Sequence, residues 1–320
     1  MPDLANAPSA DQQFFAHVVR MLAERLATPT DELAGTRCLS RPTLTRILGE
    51  ILVSLNWAGF RDTSAATLID QLVLGGIATP VPLDHPHGAK QRYHLYGVGL
   101  GLDAEKLHPI ELLQAAVPAG IVCYFGALQI HELTTQLPTQ YHIARRVGTP
   151  SPRTAAADPD YVPGLGSAAA PRLGTQMFVR QGMPYYSTRR DARWLRATQA
   201  RYLNDKSRFN VTTLEQTLVD TVHRPASCGG PSVVLEAWDN ASEQYDAERL
   251  AVLLREIDDP YLTRRVGYLL EMLDHPVEGA LSNVLDAARL TVLNSSLDMA
   301  LLFPGIPYTR IDTRWGLWVE

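Results

Sequence analysis

The 320-residue sequence predicts an α+β protein: three helices and a hairpin at the N-terminus, then a larger mixed domain. Three observations carry this expectation. Apolar residues recur at helical spacing in three stretches before residue 75. Two strand-like runs then flank the turn Asp84-His85-Pro86-His87-Gly88. From Ile121 onwards, short apolar runs come first and helical patterns later.

Phe14, Phe15, Val18, Val19, Met21, Leu22 and Leu26 predict a first helix near 11–27, ended by Thr28-Pro29-Thr30. Ser40 and Pro42 supply the cap and early proline of a helix near 41–57, with Leu44, Ile47, Leu48, Ile51, Leu52 and Leu55 as its stripe. Asp62-Thr63-Ser64 caps a third helix near 64–74, stopped by Gly75-Gly76. Strands at 77–83 and 90–96 complete the hairpin. Helices followed by a two-stranded wing are the order of a winged helix-turn-helix, expected over residues 1–98. Gly97-Val98-Gly99-Leu100-Gly101 reads as the joint, since no helix of a βαβ unit follows it, as a dinucleotide loop requires.

The second domain is expected over 107–320. It opens with a helix near 109–116, a strand at 121–125, a helix at 126–133 and a strand at 141–144. Residues 148–174, rich in Pro, Ala, Gly and Ser, read as a long mobile insertion. Strands at 177–180 and 209–211 follow, the latter feeding a helix capped at Thr212 or Thr213, with Glu215 or Gln216 available for a capping box. Helices near 231–238, 246–257, 260–273 and 279–288 precede closing strands around 301–303 and 315–319.

Composition narrows the chemistry. Hydrophobic residues make up 46%, charged residues 20%, and no window approaches eighteen uninterrupted apolar residues, so a soluble globular chain is expected. Three widely spaced cysteines, Cys38, Cys123 and Cys228, suit reduced thiols and a cytoplasmic setting. Of 29 basic residues only Lys90, Lys106 and Lys206 are lysines. None follows a glycine, which removes a phosphate-cradling Gly-Lys-Ser/Thr loop. None stands two after an acid, which removes a Glu-x-Lys nuclease strand.

Charge is segregated. Residues 172–224 hold ten basic and four acidic side chains, and residues 236–289 hold five basic and twelve acidic. A basic surface backed by acidic helices and ordinary solvated helix faces both fit this pattern. Within the basic block, Arg189, Arg193 and Arg196 share one face if the segment is helical, and with Arg190 they form a second basic surface. In the first domain the DNA-facing candidates are Arg41, Thr43, Thr45 and Arg46 on one helix start and Thr63, Ser64 and Thr67 on the next. Lys90 and Arg92 are the wing's candidates for the phosphate backbone.

Catalytic and metal patterns do not rise above the background. His131-Glu132 lacks the second histidine of a zinc-protease helix, because position 135 is Thr. His85, His87 and His94 have no cysteine or fourth ligand nearby and read as a polar loop. His223 and Cys228 permit a thiolate, but nothing in sequence orients the histidine. The chain is therefore read as a non-enzyme with no cofactor and no metal. The alternative is an unrecognised nuclease or nucleotide-transferring enzyme.

Three stretches resemble a known family. Cys123 to Thr134, with Gln136-Leu137-Pro138, is similar to a strand leading into an "AL-x-x-H-x-LT" helix. Val211 to Asp220, with Arg224-Pro225 and Gly229-Gly230, is similar to "v-s-x-x-E-x-T-L-x-D" and a following "rP…GG". Asp312 to Val319 is similar to a closing "WGl-V" strand. In this order they resemble the AbiEi-type antitoxins of type IV toxin–antitoxin and abortive-infection systems. The resemblance implies a winged-helix transcriptional repressor of its own operon, bound to double-stranded promoter DNA. It also implies that the protein counters a nucleotidyltransferase-like toxin, typically without a stable complex. The N-terminal part here begins later and is longer than that family's usual compact version, and the 148–174 insertion has no family role.

Overall fold

A computed structural model describes residues 9–57, 62–148, 174–203, 207–294 and 299–319. The protein is a mixed α+β chain that divides into two units. The first contains the described residues up to Pro118 together with Arg201–Phe209, and the second contains the remainder. Apart from Gly148 and Gly174, the expected insertion lies outside the described residues.

The first unit runs α1 (Ala10–Ala27), β1 (Cys38–Ser40), α2 (Arg41–Leu55), α3 (Ala65–Leu74), β2 (Ala78–Pro80), β3 (Leu95–Val98) and α4 (Pro109–Ala116). Both α2 and α3 start with the same Ser-x-x-Thr device. Ser40 Oγ accepts the Thr43 N–H at 3.4 Å, and Ser64 Oγ accepts the Thr67 N–H at 3.1 Å. Each cap contributes on the order of 1 kcal/mol by satisfying an amide the first turn leaves open. The buried stripes are those expected: Phe14, Val18 and Leu22 meet Leu44, Ile47, Leu48 and Ile51, with Leu68, Ile69 and Leu72 closing the core. Each such side chain contributes about 1.5–3 kcal/mol on burial.

The strands pair antiparallel in the order β1-β3-β2. They are shorter than the expected 77–83 and 90–96. Pro80 and Pro82 have no N–H for a ladder. On the return arm, the Tyr93 N–H donates to His85 Nε2 at 2.9 Å, and the His94 carbonyl accepts the Arg41 N–H at 2.8 Å. Those groups are therefore spent, and β3 starts only at Leu95, opposite Ser40. The unit also extends past the expected joint. Buried Glu111 of α4 accepts both nitrogens of the Arg37 fork, at 2.8 and 2.7 Å, and also the His108 N–H at 2.9 Å. This ties α4 to the residue just before β1, a pairing 74 positions apart that no local pattern announces.

The second unit is built on β4 (Ile121–Cys123), α5 (Phe125–Ile130), β5 (Tyr141–Val147), β6 (Thr175–Arg180) and β7 (Met183–Asp191). Strands β8 (Thr198–Leu203) and β9 (Ser207–Thr212), of which Arg201–Phe209 groups with the first unit, belong to a six-stranded mixed sheet in the order β6-β7-β5-β4-β9-β8. Helices α6 (Leu214–His223), α7 (Pro231–Asn240), α8 (Ala247–Ile257), α9 (Pro260–Met272) and α10 (Gly279–Asn294) follow. A small sheet of β10 (Ala300–Leu301), β12 (Leu317–Val319) and β11 (Arg310–Asp312) closes the chain. Gly267 of α9 has a steric role: a Cβ there would stand 2.1 Å from the indole of Trp315, which packs against that turn.

Thr213 caps α6 by accepting the Gln216 N–H at 3.3 Å. The Gln216 side chain does not reach back to close a capping box; it serves the buried network described below. The clearest correction concerns residues 189–196. They are not a helix. Residues 183–191 form β7, which pairs parallel with β5 from Tyr141↔Tyr185 to Val147↔Asp191. Seven consecutive cross-strand pairs outweigh a weak i, i+4 spacing of arginines, which by itself stabilises a helix by only a few tenths of a kcal/mol.

Candidate nucleic-acid interface

In the first unit, Arg41 is exposed at the first position of α2. The hydrogen bond from its N–H to the His94 carbonyl places that helix start against the end of the loop joining β2 and β3. The same loop displays Lys90 and Arg92, both exposed. Arg41 and Arg92, half a hundred residues apart in sequence, thus each stand within two residues of a single backbone bond at one corner, and Lys90 lies two residues further along the loop. Lys90 and Arg92 sit on the loop itself rather than on a strand, because β3 begins later than expected.

The hydroxyl candidates divide. Thr45 is exposed on α2 and Thr63 is half-buried ahead of α3. Thr43 and Thr67 are each engaged with their capping serines, hydroxyl to hydroxyl at 2.8 Å in both helices. Their first task, with Ser64, is to start a helix. Arg46 is also committed: its guanidinium donates to Glu32 at 2.6 Å and Glu50 at 2.7 Å. Arg25 joins the same lattice through Asp31 at 3.0 Å and Glu50 at 2.6 Å. The Arg25 and Arg46 guanidiniums hold the Glu50 carboxyl below the usual carboxylate range. Two arginines face three carboxylates here, so this part of α2 is not a cationic surface.

The second basic surface does not exist as one face. Strand alternation separates its members: Arg189 is exposed on β7, whereas Arg190 is fully buried. Arg190 pairs with Asp220 of α6 at 2.5 Å and lies over the Tyr124 ring at 5.2 Å. Gln216 donates to Asp220 at 2.8 Å and to the Trp194 carbonyl at 3.0 Å, and Trp194 stacks on His223 at 4.2 Å. Tyr124 takes φ 57°, ψ −131° between β4 and α5, a region that costs a non-glycine residue about 1–3 kcal/mol. Past the strand, Arg193 lies over Trp194 at 4.9 Å. Arg196 donates to the carbonyls of Arg193 at 3.0 Å and Glu256 at 3.2 Å.

Register adds two arginines that the sequence reading missed. Arg145 of β5 pairs with Arg189, and Arg146 beside it is exposed. The signal was present as a double arginine ending the run Tyr141-His142-Ile143-Ala144, but the neighbouring strand was not.

The thiol and histidine candidates have structural roles. Burial pushes the Cys228 thiol well above its ordinary pKa, and its Sγ rests 3.9 Å from the Asp220 carbonyl. His131 Nε2 stands 2.8 Å from the Thr212 carbonyl, tying the end of α5 to β9. Among the described residues, no group of three or more His, Cys, Asp or Glu is placed to hold a metal ion, and no helix is long and apolar enough to cross a membrane.

No protein-family model and no curated protein matches the chain. Among solved structures, the crystal structure of the RV2827C protein from Mycobacterium tuberculosis is similar, with a TM-score of 0.51 over 95% of this chain and 90% of that one. At 14% identity, this is a likeness of fold.

Proposed function

We propose that the protein is a DNA-binding antitoxin that represses its own operon through its first unit and counters a nucleotidyltransferase-like toxin. The observation that carries the DNA reading is the joint between Arg41 and His94, which gathers Arg41, Lys90 and Arg92 at one corner of the first unit. The order α1-β1-α2-α3-β2-β3 with a β1-β3-β2 sheet supports a winged helix, in which a helix start and a loop approach the duplex together. Cations on such a corner meet phosphates, and exposed polar groups such as Thr45 and Gln71 reach base edges. The toxin half of the proposal rests on the sequence resemblance.

The test is a gel shift with the protein's own promoter against random DNA of equal length, run beside a toxin-rescue assay using the adjacent open reading frame. A preference for the promoter and rescue of growth are expected. Equal affinity for both DNAs overturns the repressor reading, and an adjacent frame unrelated to nucleotidyltransferases overturns the antitoxin reading. The enzymatic alternative gains no support, because the polar groups gathered around Asp220 are buried.

A further inference from the structure

The hairpin of β8 and β9 is built unlike the rest of its sheet. β8 is an edge strand beside β9, and only three residues separate the two, so they run antiparallel. Ala200, Arg201 and Tyr202 are exposed one after another, so both faces of β8 meet solvent there. On β9, strand alternation buries Phe209 and leaves Arg208 exposed. Tyr202 stands one residue before the end of β8 and Arg208 one residue after the start of β9, so the two flank the connection at equal distance. Tyr202 is 63% exposed, and among the described residues it is the only exposed aromatic side chain.

Charge and ring chemistry select the partner. Residues 198–212 carry Arg201, Lys206 and Arg208 against one acid, Asp205. Among the described residues, nothing accepts a hydrogen bond or ion pair from the Arg201 or Arg208 side chain. Arg46 of α2 and Arg190 of β7 differ, because their guanidiniums are spent on carboxylates. An edge strand protects itself with charge alone, and that task needs no exposed ring. Two uncommitted guanidiniums around an exposed ring suit a nucleic acid, with charge meeting phosphate and the ring meeting a base or sugar. Arg201–Phe209 groups with the first unit, which also holds Arg41, Lys90 and Arg92. That membership favours the duplex those residues meet.

We propose that the β8–β9 hairpin is a further DNA contact of the repressor, with Arg201 and Arg208 on backbone phosphates and Tyr202 against a base or deoxyribose beside them. The inference rests on the DNA reading of the first unit and extends it to a part of the chain outside residues 1–98. The full chain is titrated with the promoter duplex and with a random duplex of equal length over a series of salt concentrations. Arg201→Ala with Arg208→Ala should weaken both complexes about tenfold and lower the slope of log affinity against log salt by about 2. Arg201→Lys with Arg208→Lys keeps both charges and should restore the slope. Tyr202→Ala should weaken both complexes about fivefold at an unchanged slope, and Tyr202→Phe should recover the loss, because stacking needs the ring and not the hydroxyl. Thermal melts of these variants should match the parent, since all three side chains are exposed.

Failure of the hairpin and failure of the DNA reading look different. If the parent prefers its promoter, loses affinity in the Lys90/Arg92 variant and keeps it in the hairpin variants, the hairpin inference is overturned and the DNA reading stands. If the parent binds neither duplex, both fall. A binding loss that comes with a lowered melt and is not recovered by the lysine and phenylalanine variants also overturns the inference. So does loss of toxin rescue with DNA binding intact, because the hairpin then meets a protein.

Discussion

Two arginine-rich stretches look alike in sequence and behave oppositely. Around Arg41 and Arg46, each guanidinium is on the surface, one at a corner with Lys90 and Arg92 and the other shared between Glu32 and Glu50. Around Arg189 and Arg190, one guanidinium faces solvent and its neighbour is sealed in the core against Asp220. The difference is one of period. Along α2, the 3.6-residue repeat keeps Arg41, Thr45 and Arg46 away from the stripe of Leu44, Ile47 and Leu48. Along β7, a period of two sends adjacent arginines to opposite faces of the sheet. A basic run therefore becomes a surface only once its secondary structure is known.

The comparison can be broken most forcefully in the core. Arg190→Ala leaves Asp220 buried without its cation, and should destabilise the protein by about 3–5 kcal/mol in urea unfolding. Arg189→Ala, one residue away, should shift stability by less than about 0.5 kcal/mol. Equal effects would mean that the alternation along β7 is wrongly assigned.

At the corner the readout is binding. Replacing Arg41, Lys90 and Arg92 together with Ala should weaken attachment to every duplex and reduce the slope of log affinity against log salt by about 2–3. The Lys90/Arg92 pair alone should account for about one to two of those counterions. An altered operator preference at constant salt slope would place these residues on base edges instead.

Arg46→Ala sharpens the contrast within α2. An exposed ion-pair lattice is worth about 0–1 kcal/mol, so stability should move little. Because Arg46 is occupied by Glu32 and Glu50, promoter affinity should fall less than in Arg41→Ala, measured in the same titration.

The smallest effect is a pH dependence inside the first unit. His108 caps α4 by accepting the Ile110 N–H on Nδ1 at 3.3 Å, which requires the neutral ring. Burial lowers its pKa from the ordinary 6.5, with Arg37 adding to the lowering and Glu111 opposing it. A depressed folded pKa means the unfolded chain takes the proton first. The contribution of His108 is therefore present above pH 6.5 and is lost as pH falls toward the folded pKa. His108→Asn keeps a capping acceptor without a titrating group, and its melting temperature should depend less on pH between 7 and about 5.5. Identical pH profiles would remove His108 as the cause.

Much of this architecture was legible one residue at a time. The stripes of α1, α2 and α3 follow from apolar spacing, and Ser40, Ser64 and Thr213 announce their helices because capping is a local bond across three residues. The cationic members of the corner were legible as residues too, since Arg41 opens a helix and Lys90 and Arg92 follow a turn. Only the tertiary structure could decide which of them meet. The Arg41–His94 bond, the Arg37–Glu111 fork that carries α4 into the first unit and the Arg190–Asp220 pair all join distant positions. So does the β5–β7 register that sets Arg145 beside Arg189. Local patterns report which face of an element is apolar, but partner choice between elements depends on closing long loops around a shared core, and no short window of sequence contains that information.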